Sequence, residues 1–258
     1  MPKHPLNHAW RIFATGISFT SFGVGGMLLG LVVFPLLILL VWNRRRRSRI
    51  ARRIVQLAFG TFIQLMRGLG VLTYELHGVE RLQREGLLVL ANHPTLIDVV
   101  FLGWLTPNAD CVVKSALLRN PFTVGPVTAT GYVSNTTGPG MIADCVDSVQ
   151  SGSNLMIFPE GTRSPVGGFG ALQRGAANVA VRAPVDVTPV IITCNPPTLS
   201  KGGKWYLVPS RRFHMRVEVL ADFPVASFSD GVSEAVAARK LTNYLTEYFT
   251  MELSRARA

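Results

Sequence analysis

The hydrophobic pattern divides the chain into three regimes. From Ile12 to Trp42 no residue is charged. As one helix this stretch would be roughly 46 Å long, against a hydrocarbon core of about 30 Å. Its first half is rich in small residues (Gly16, Ser18, Ser21, Gly23, Gly25, Gly26), and Met27 to Trp42 is dense in Leu, Val, Ile and Phe. Two arrangements fit: a tilted single span, or a helical hairpin bent near the glycines or Pro35. A cleaved signal peptide fits poorly, because the apolar run is too long and is followed by arginines rather than a small-residue cleavage site.

The second regime, Ile50 to Leu69, places Ile54, Leu57, Ala58, Phe62, Leu65, Met66 and Leu69 at helical spacing. This amphipathic helix either lies on a bilayer or packs on the domain, and its position beside the arginines favours the bilayer.

In the third regime short apolar runs alternate with helical ones. Tyr74–Val79, Leu87–Ala91, Ala109–Val113, Gly131–Val133, Leu155–Phe158 and Val185–Thr193 read as strands, and Trp205–Val208 and Phe213–Leu220 as later ones. Leu96–Leu105, Met141–Gln150, Gln173–Arg182 and Ser233–Leu253 read as helices. Such alternation predicts an α/β domain with a mixed, mainly parallel central sheet flanked by helices. The expected organisation is an N-terminal membrane anchor with a basic flank at 1–48, an amphipathic interfacial helix at 49–72, and a catalytic domain at 73–258.

Composition sharpens this picture. Hydrophobic residues make up 48% of the 258 and charged residues 16%, with a mean hydropathy of +0.30 and a pI near 10.3. A net charge of +11 suits nucleic acid, anionic membrane or phosphorylated ligands. Much of that excess lies in Arg44, Arg45, Arg46, Arg47, Arg49, Arg52 and Arg53. Next to an apolar segment such a block reads as the cytoplasmic flank of a membrane element rather than a nucleic-acid surface. Cys111, Cys145 and Cys194 show no metal-ligand or CxxC spacing and read as buried small hydrophobes in a reducing compartment.

Two segments carry candidate chemistry, and each follows an apolar strand. In Asn92-His93-Pro94-Thr95-Leu96-Ile97-Asp98, Pro94 suits a first helical turn. Within one continuous helix His93 and Asp98 would point about 140° apart. With His93 at the strand–helix junction they can meet. A carboxylate on one imidazole nitrogen fixes the tautomer and leaves the other nitrogen free as a base. By spacing alone such a pair is more often structural. In Phe158-Pro159-Glu160-Gly161-Thr162-Arg163-Ser164, Gly161 permits close backbone approach and Arg163 offers a planar fork for phosphate oxygens. The bland alternative is a polar turn closed by a Glu–Arg pair. Parallel sheets gather ligands at the ends of their strands, which raises the functional reading of both segments.

Together these blocks resemble the glycerophospholipid acyltransferases, in particular bacterial lysophosphatidate acyltransferases. That family shares a histidine, four residues and an aspartate, then a Phe-Pro-Glu-Gly-Thr-Arg-Ser block. Lys114, Leu117, Pro121, Gly125 and Gly131 match the intervening run, and Gly175-Ala176 and Thr188-Pro189-Val190 match later landmarks. The resemblance covers roughly Tyr74 to Thr193. It implies that His93, held by Asp98, acts as general base on an acceptor hydroxyl, which attacks the thioester of acyl-CoA or acyl carrier protein directly, without an acyl-enzyme. It assigns acceptor and phosphate binding to Glu160, Gly161, Thr162 and Arg163, with Asn92, Lys114, Asn135 and Arg174 as further substrate contacts. It implies neither metal nor redox cofactor. It implies a bilayer, a lipid acceptor and an acyl thioester as partners, no nucleic acid, and a bacterial inner membrane with the catalytic domain on the cytoplasmic face.

One departure bears on the acceptor. The family usually has an arginine four residues after the glycine at Gly131, where Asn135 stands here. A neutral amide cannot supply that charge. Either Arg174 or Lys114 compensates, or the acceptor is a glycolipid, amino lipid or polyene lipid. A non-enzymatic lipid-binding role is the alternative of a different class. Neither a GxSxG elbow nor a P-loop is present. Arg211, Arg212 and His214 are either a solvated face or neighbours of donor phosphates.

Overall fold

A computed structural model describes residues 5–135 and 140–257; residues 1–4 of the expected anchor, and 136–139 and 258 of the expected catalytic region, lie outside the described residues. The N-terminal apolar run is one long helical segment from Leu6 to Leu40. It comprises α1 (Pro5–Leu28), a π-helical turn at Leu29–Val33 and α2 (Phe34–Leu40). The π turn lies immediately before Pro35, whose missing N–H removes a rung of the helical ladder. Helix α3 (Arg44–Gly68) then starts at Asn43, whose side chain accepts the Arg46 N–H at 3.0 Å.

Helix α3 turns back along the first helix for its whole length. The Trp10 indole donates to the Leu69 carbonyl at 3.0 Å, Phe22 packs against Phe59 and Phe62, and Phe34 and Leu37 cluster with Ala51 and Val55. The bend between antiparallel helices therefore falls after Leu40, rather than at the glycines or Pro35. The glycines serve instead as contact points. A Cβ on Gly26 would sit 2.2 Å from the Phe122 carbonyl oxygen, and one on Gly30 would sit 3.3 Å from Gly125 Cα.

The other side of α3 packs on α4 (Asp98–Leu105). The fit is reciprocal: a Cβ on Gly60 would lie 2.6 Å from the Trp104 ring, and a Cβ on Gly103 would lie 2.8 Å from Phe59. One member of the arginine block also has a structural task. Arg52 is largely enclosed, with its side chain 9% exposed; it pairs with Asp110 at 2.7 Å and donates to Ser153 and to the Thr130 carbonyl. Burial raises the Asp110 carboxyl above its ordinary range against the pull of Arg52.

The sheet, among the described residues, contains β1 (Leu72–His77), β2 (Leu88–Ala91), β3 (Ala109–Val113), β4 (Val133–Ser134), β5 (Asn154–Ile157), β6 (Val187–Asn195) and β7 (Phe213–Val219), in the order β1-β7-β6-β2-β5-β3-β4. All pairings are parallel except β6 with β7. The fold is the mixed, mainly parallel α/β sandwich that the alternation implies. Helix α5 (Val124–Thr130) links β3 to β4, with Gly131 at φ +69° closing it. That glycine belongs to the helix end and not to the strand predicted at Gly131–Val133. On the opposite face α6 (Gly140–Gln150), α7 (Gly175–Arg182) and α9 (Glu234–Arg255) cover the sheet, with the short α8 (Ala226–Ser229) beside α9.

The strand expected at Trp205–Val208 does not form. Lys201–Gly202 and Trp205–Tyr206 are turns in the β6–β7 connection, and Trp205, Tyr206 and Leu207 are exposed. The physical reason is that β6 and β7 already pair directly from Val190–Val219 to Asn195–His214, so the connection has no edge to join. Gly202 at φ +77° and Pro209 break any extended run.

Candidate active site

Strands β2 and β5 are hydrogen-bonded neighbours running in parallel. Their C-terminal ends therefore deliver Asn92–Asp98 and Phe158–Ser164 to the same edge. His93 sits between strand and helix, and Asp98 is the first residue of α4. His93 Nδ1 lies 2.9 Å from Asp98 Oδ2. The same oxygen accepts the Thr95 N–H at 2.8 Å. Asp98 is fully buried, and among the described residues its Oδ1 has no hydrogen-bond partner. Burial pushes its carboxyl up to about 6, against the opposing pull of His93 and Thr95. The His93 ring stacks on Phe158, with centroids 4.3 Å apart, and its side chain is 15% exposed. Nε2 makes no hydrogen bond among the described residues.

The second motif supports the first from behind. Glu160 is buried. Its Oε1 accepts the His93 N–H at 3.3 Å and the Ser164 hydroxyl, and its Oε2 accepts the Gly170 N–H at 2.7 Å. The Ser164 hydroxyl also reaches the His93 N–H at 3.1 Å, and the Ser164 N–H donates to the His93 carbonyl at 2.8 Å. Gly170 is required by the close approach, since a Cβ there would sit 2.6 Å from Glu160 Oε2. The Glu160 carboxylate thus faces inward and locks two loops together. Gly161 is exposed with φ +65°, and Thr162 is half-buried beside it.

Arg163 turns the other way. Its Nη1 donates to the carbonyls of Leu199 at 2.6 Å and Ser200 at 2.9 Å, tying the site to the start of the β6–β7 connection. Sequence reasoning had no signal for these two carbonyls, nor for Gly170.

The remaining expected contacts are scattered. Asn92 is buried and exchanges two hydrogen bonds with the Ile192 backbone, at 2.8 and 2.7 Å. Both ends of its amide are occupied, so it pins β2 to β6. Asn135 Oδ1 accepts the Ser115 N–H at 3.1 Å, and its own N–H donates to the Val113 carbonyl at 3.0 Å. It joins the ends of β3 and β4 where the resemblance expects an arginine. Lys114 is exposed at the end of β3, and Arg174 is exposed before α7. Neither bonds to the His93 network among the described residues. A cavity of about 420 Å³ opens beside Pro94 and Pro165, walled by Asn195, His214, Arg216 and Glu75. Its His214 is occupied, with Nδ1 2.8 Å from the Thr73 hydroxyl.

Comparison with known proteins follows the same outline. The family described as Acyltransferase matches residues 73–193. A Caenorhabditis elegans protein named as a candidate 1-acyl-sn-glycerol-3-phosphate acyltransferase is 30% identical, over 57% of this chain and 55% of its own length. A 1-acyl-sn-glycerol-3-phosphate acyltransferase of Pseudomonas aeruginosa is 28% identical, over 50% and 52%. The chain spans about half the length of these relatives. The crystal structure of the 1-acyl-sn-glycerophosphate acyltransferase PlsC from Thermotoga maritima shares the fold, with a TM-score of 0.70 at 17% identity over 96% of this chain and 98% of that one.

Proposed function

We propose that this chain is an acyltransferase, as the family match over residues 73–193 and the similar relatives support, and that it transfers a fatty acyl group from acyl-CoA or acyl carrier protein to the hydroxyl of a lysophosphatidate-type lipid. The observation that carries this reading is the 2.9 Å contact between His93 Nδ1 and the buried Asp98 carboxylate, which leaves Nε2 without a partner. The Nδ1–H donates to Asp98, and Nε2 takes the proton of the acceptor hydroxyl as its oxygen attacks the thioester carbonyl. The tetrahedral oxyanion collapses, the C–S bond breaks, and His93 returns the proton to the departing thiolate. No step in this scheme needs a metal or redox cofactor.

Arg163 uses one terminal nitrogen on the Leu199 and Ser200 carbonyls, and its other N–H groups suit the acceptor phosphate. Gly161 and Thr162 border the same turn. Glu160 holds His93 in place rather than touching the acceptor. Lys114 and Arg174 are exposed cations near the same sheet edge and suit later charge contacts with substrate.

In this reading residues 1–48 anchor the protein, 49–72 lie at the interface, and 73–258 carry out catalysis. The helical segment Leu6–Leu40 is apolar and largely exposed, and Arg44–Arg47 follow it. Because α3 runs beside it with Arg49, Arg53 and Arg67, a perpendicular crossing would drag those charges into hydrocarbon. A helix lying along the cytoplasmic leaflet avoids that cost and presents the site to cytosolic thioesters. A neutral Asn135, its side-chain oxygen held by the Ser115 N–H, favours a second acceptor reading, a lipid without a phosphate at that point.

The test is acyl transfer by the detergent-purified full chain, wild type beside His93→Ala, with labelled acyl-CoA and acyl carrier protein against a lipid panel. Loss of the base should lower the rate by about 10²-fold or more. Equal rates for the two proteins would remove His93 from the chemistry.

A further inference from the structure

The β6–β7 connection has a composition that the acyl-transfer reading does not use. Between Ser200 and Arg212 it carries Lys201, Lys204, Arg211 and Arg212 and no carboxylate. At its tip Trp205, Tyr206 and Leu207 are 48%, 45% and 65% exposed. Aromatic tips flanked by cations suit a lipid–water interface, where the ring enters the acyl boundary and the ammonium and guanidinium groups stay among phosphates.

Position supports the same partner. Trp205 packs against Phe19 with ring centroids 5.5 Å apart, and Arg11 donates to the Ser210 carbonyl. The tip is therefore continuous with the exposed apolar surface of α1, which includes Phe13, Val24 and Leu28. At its other end the connection begins at the two carbonyls that hold Arg163.

We propose that residues 201–212 form a second membrane-contact element, seating Trp205, Tyr206 and Leu207 in an anionic phospholipid surface. The helical segment Leu6–Leu40 supplies the attachment. The loop fixes the rotation of the domain on the bilayer, so that Arg163 stands at headgroup depth. An acceptor leaving the membrane meets the arginine without crossing water.

The test uses the full chain with Cys194 changed to Ala, Cys111 and Cys145 being buried. Tyr206→Cys and, as a control on the far helix, Lys240→Cys are each labelled with an environment-sensitive fluorophore. The proteins are reconstituted in phosphatidylcholine vesicles with and without phosphatidylglycerol. At residue 206 a blue shift is expected, with quenching by lipids spin-labelled high on the acyl chain and a stronger effect in the anionic vesicles. Residue 240 should keep solvent-like emission. Changing the four cations to Gln should reduce the quenching at 206. Solvent-like emission at 206 in both vesicles, or equal shifts at 206 and 240, would overturn the proposal. So would a shift produced by acyl carrier protein without vesicles, which would make the loop a protein-docking surface. The fluorescence reads immersion whether or not the chain transfers acyl groups, so its failure is separable from failure of the acyl-transfer reading.

Discussion

The buried carboxylate of Glu160 accepts the backbone N–H of His93 at 3.3 Å, so a residue 67 positions away sets the height of the imidazole above the sheet edge. Ser164 closes the arrangement by bonding both partners. This bracing predicts how the site responds when individual members are removed.

Glu160→Ala should leave the Gly170 N–H without its acceptor and the His93 N–H held by the Ser164 hydroxyl alone, at a cost of about 1–3 kcal/mol in stability. The rate constant should fall more than the Michaelis constant rises, since the substitution displaces the base rather than an acceptor contact. Glu160→Gln keeps one acceptor oxygen and should recover part of the rate. Steady-state kinetics with both variants would check this, and a change confined to KM would contradict it.

The Asp98 carboxyl, raised to about 6 by burial, makes activity and stability respond oppositely to acid. Proton abstraction needs the ionised carboxylate, so kcat/KM should fall as pH drops through about 6. The stability term runs the other way. A carboxyl with its folded pKa above its ordinary value contributes stability that is full below about 4 and lost as pH rises through about 6. Asp98→Asn should therefore be inactive yet resist heat better than wild type at pH 8, with the difference shrinking at pH 5. Thermal unfolding at both values checks the sign.

Arg163→Lys keeps the charge but loses the planar guanidinium, in which Nη1 holds the Leu199 and Ser200 carbonyls while the other N–H groups remain for a phosphate. We expect a rise in KM for a phosphate-bearing acceptor of about 10-fold, and more for Arg163→Ala, as for loss of a charge-assisted hydrogen bond. An acceptor lacking the phosphate should be much less affected. A panel of matched acceptors with and without the phosphate decides between these outcomes.

Arg52→Met should destabilise the fold by about 3–5 kcal/mol, because it leaves Asp110 buried without its cation. Adding Asp110→Leu should restore much of the loss, since two apolar side chains need no mutual neutralisation. Chemical denaturation of the single and double variants measures both values. A double variant no better than Arg52→Met would show that the Thr130 and Ser153 contacts of Arg52 matter more than the ion pair.

Much of the layout was legible because it rests on local periodicity and spacing. The strand predicted at Ala109–Val113, a short apolar run, has the observed bounds, and the one predicted at Phe213–Leu220 differs by one residue, because its alternation between a buried and a half-exposed face is written directly in the side chains. Arg52 shows the opposite case. In sequence it is one cation in a run of seven, and only the approach of β3 and β5 to α3 turns it into a clasp. Asn92 is expected among the substrate contacts, whereas the chain folds its amide onto Ile192 of β6, 100 positions away. Trp205–Val208 has strand-like composition and no strand partner, and composition does not reveal which edges are free.

By itself the sequence determined the apolar N-terminal segment, the basic flank, the α/β alternation and the two motifs with chemical potential, since each is a property of neighbours along the chain. The tertiary structure alone decided that the motifs meet, because strand order is set by packing over the whole sheet and puts β2 beside β5. It also decided that Glu160 faces inward, that the Asn135 side-chain oxygen is spent on a backbone N–H, and that α3 runs back along the N-terminal apolar helix. Those outcomes depend on contacts between residues far apart in the chain, whose burial and hydrogen bonding exist only once the layers have closed.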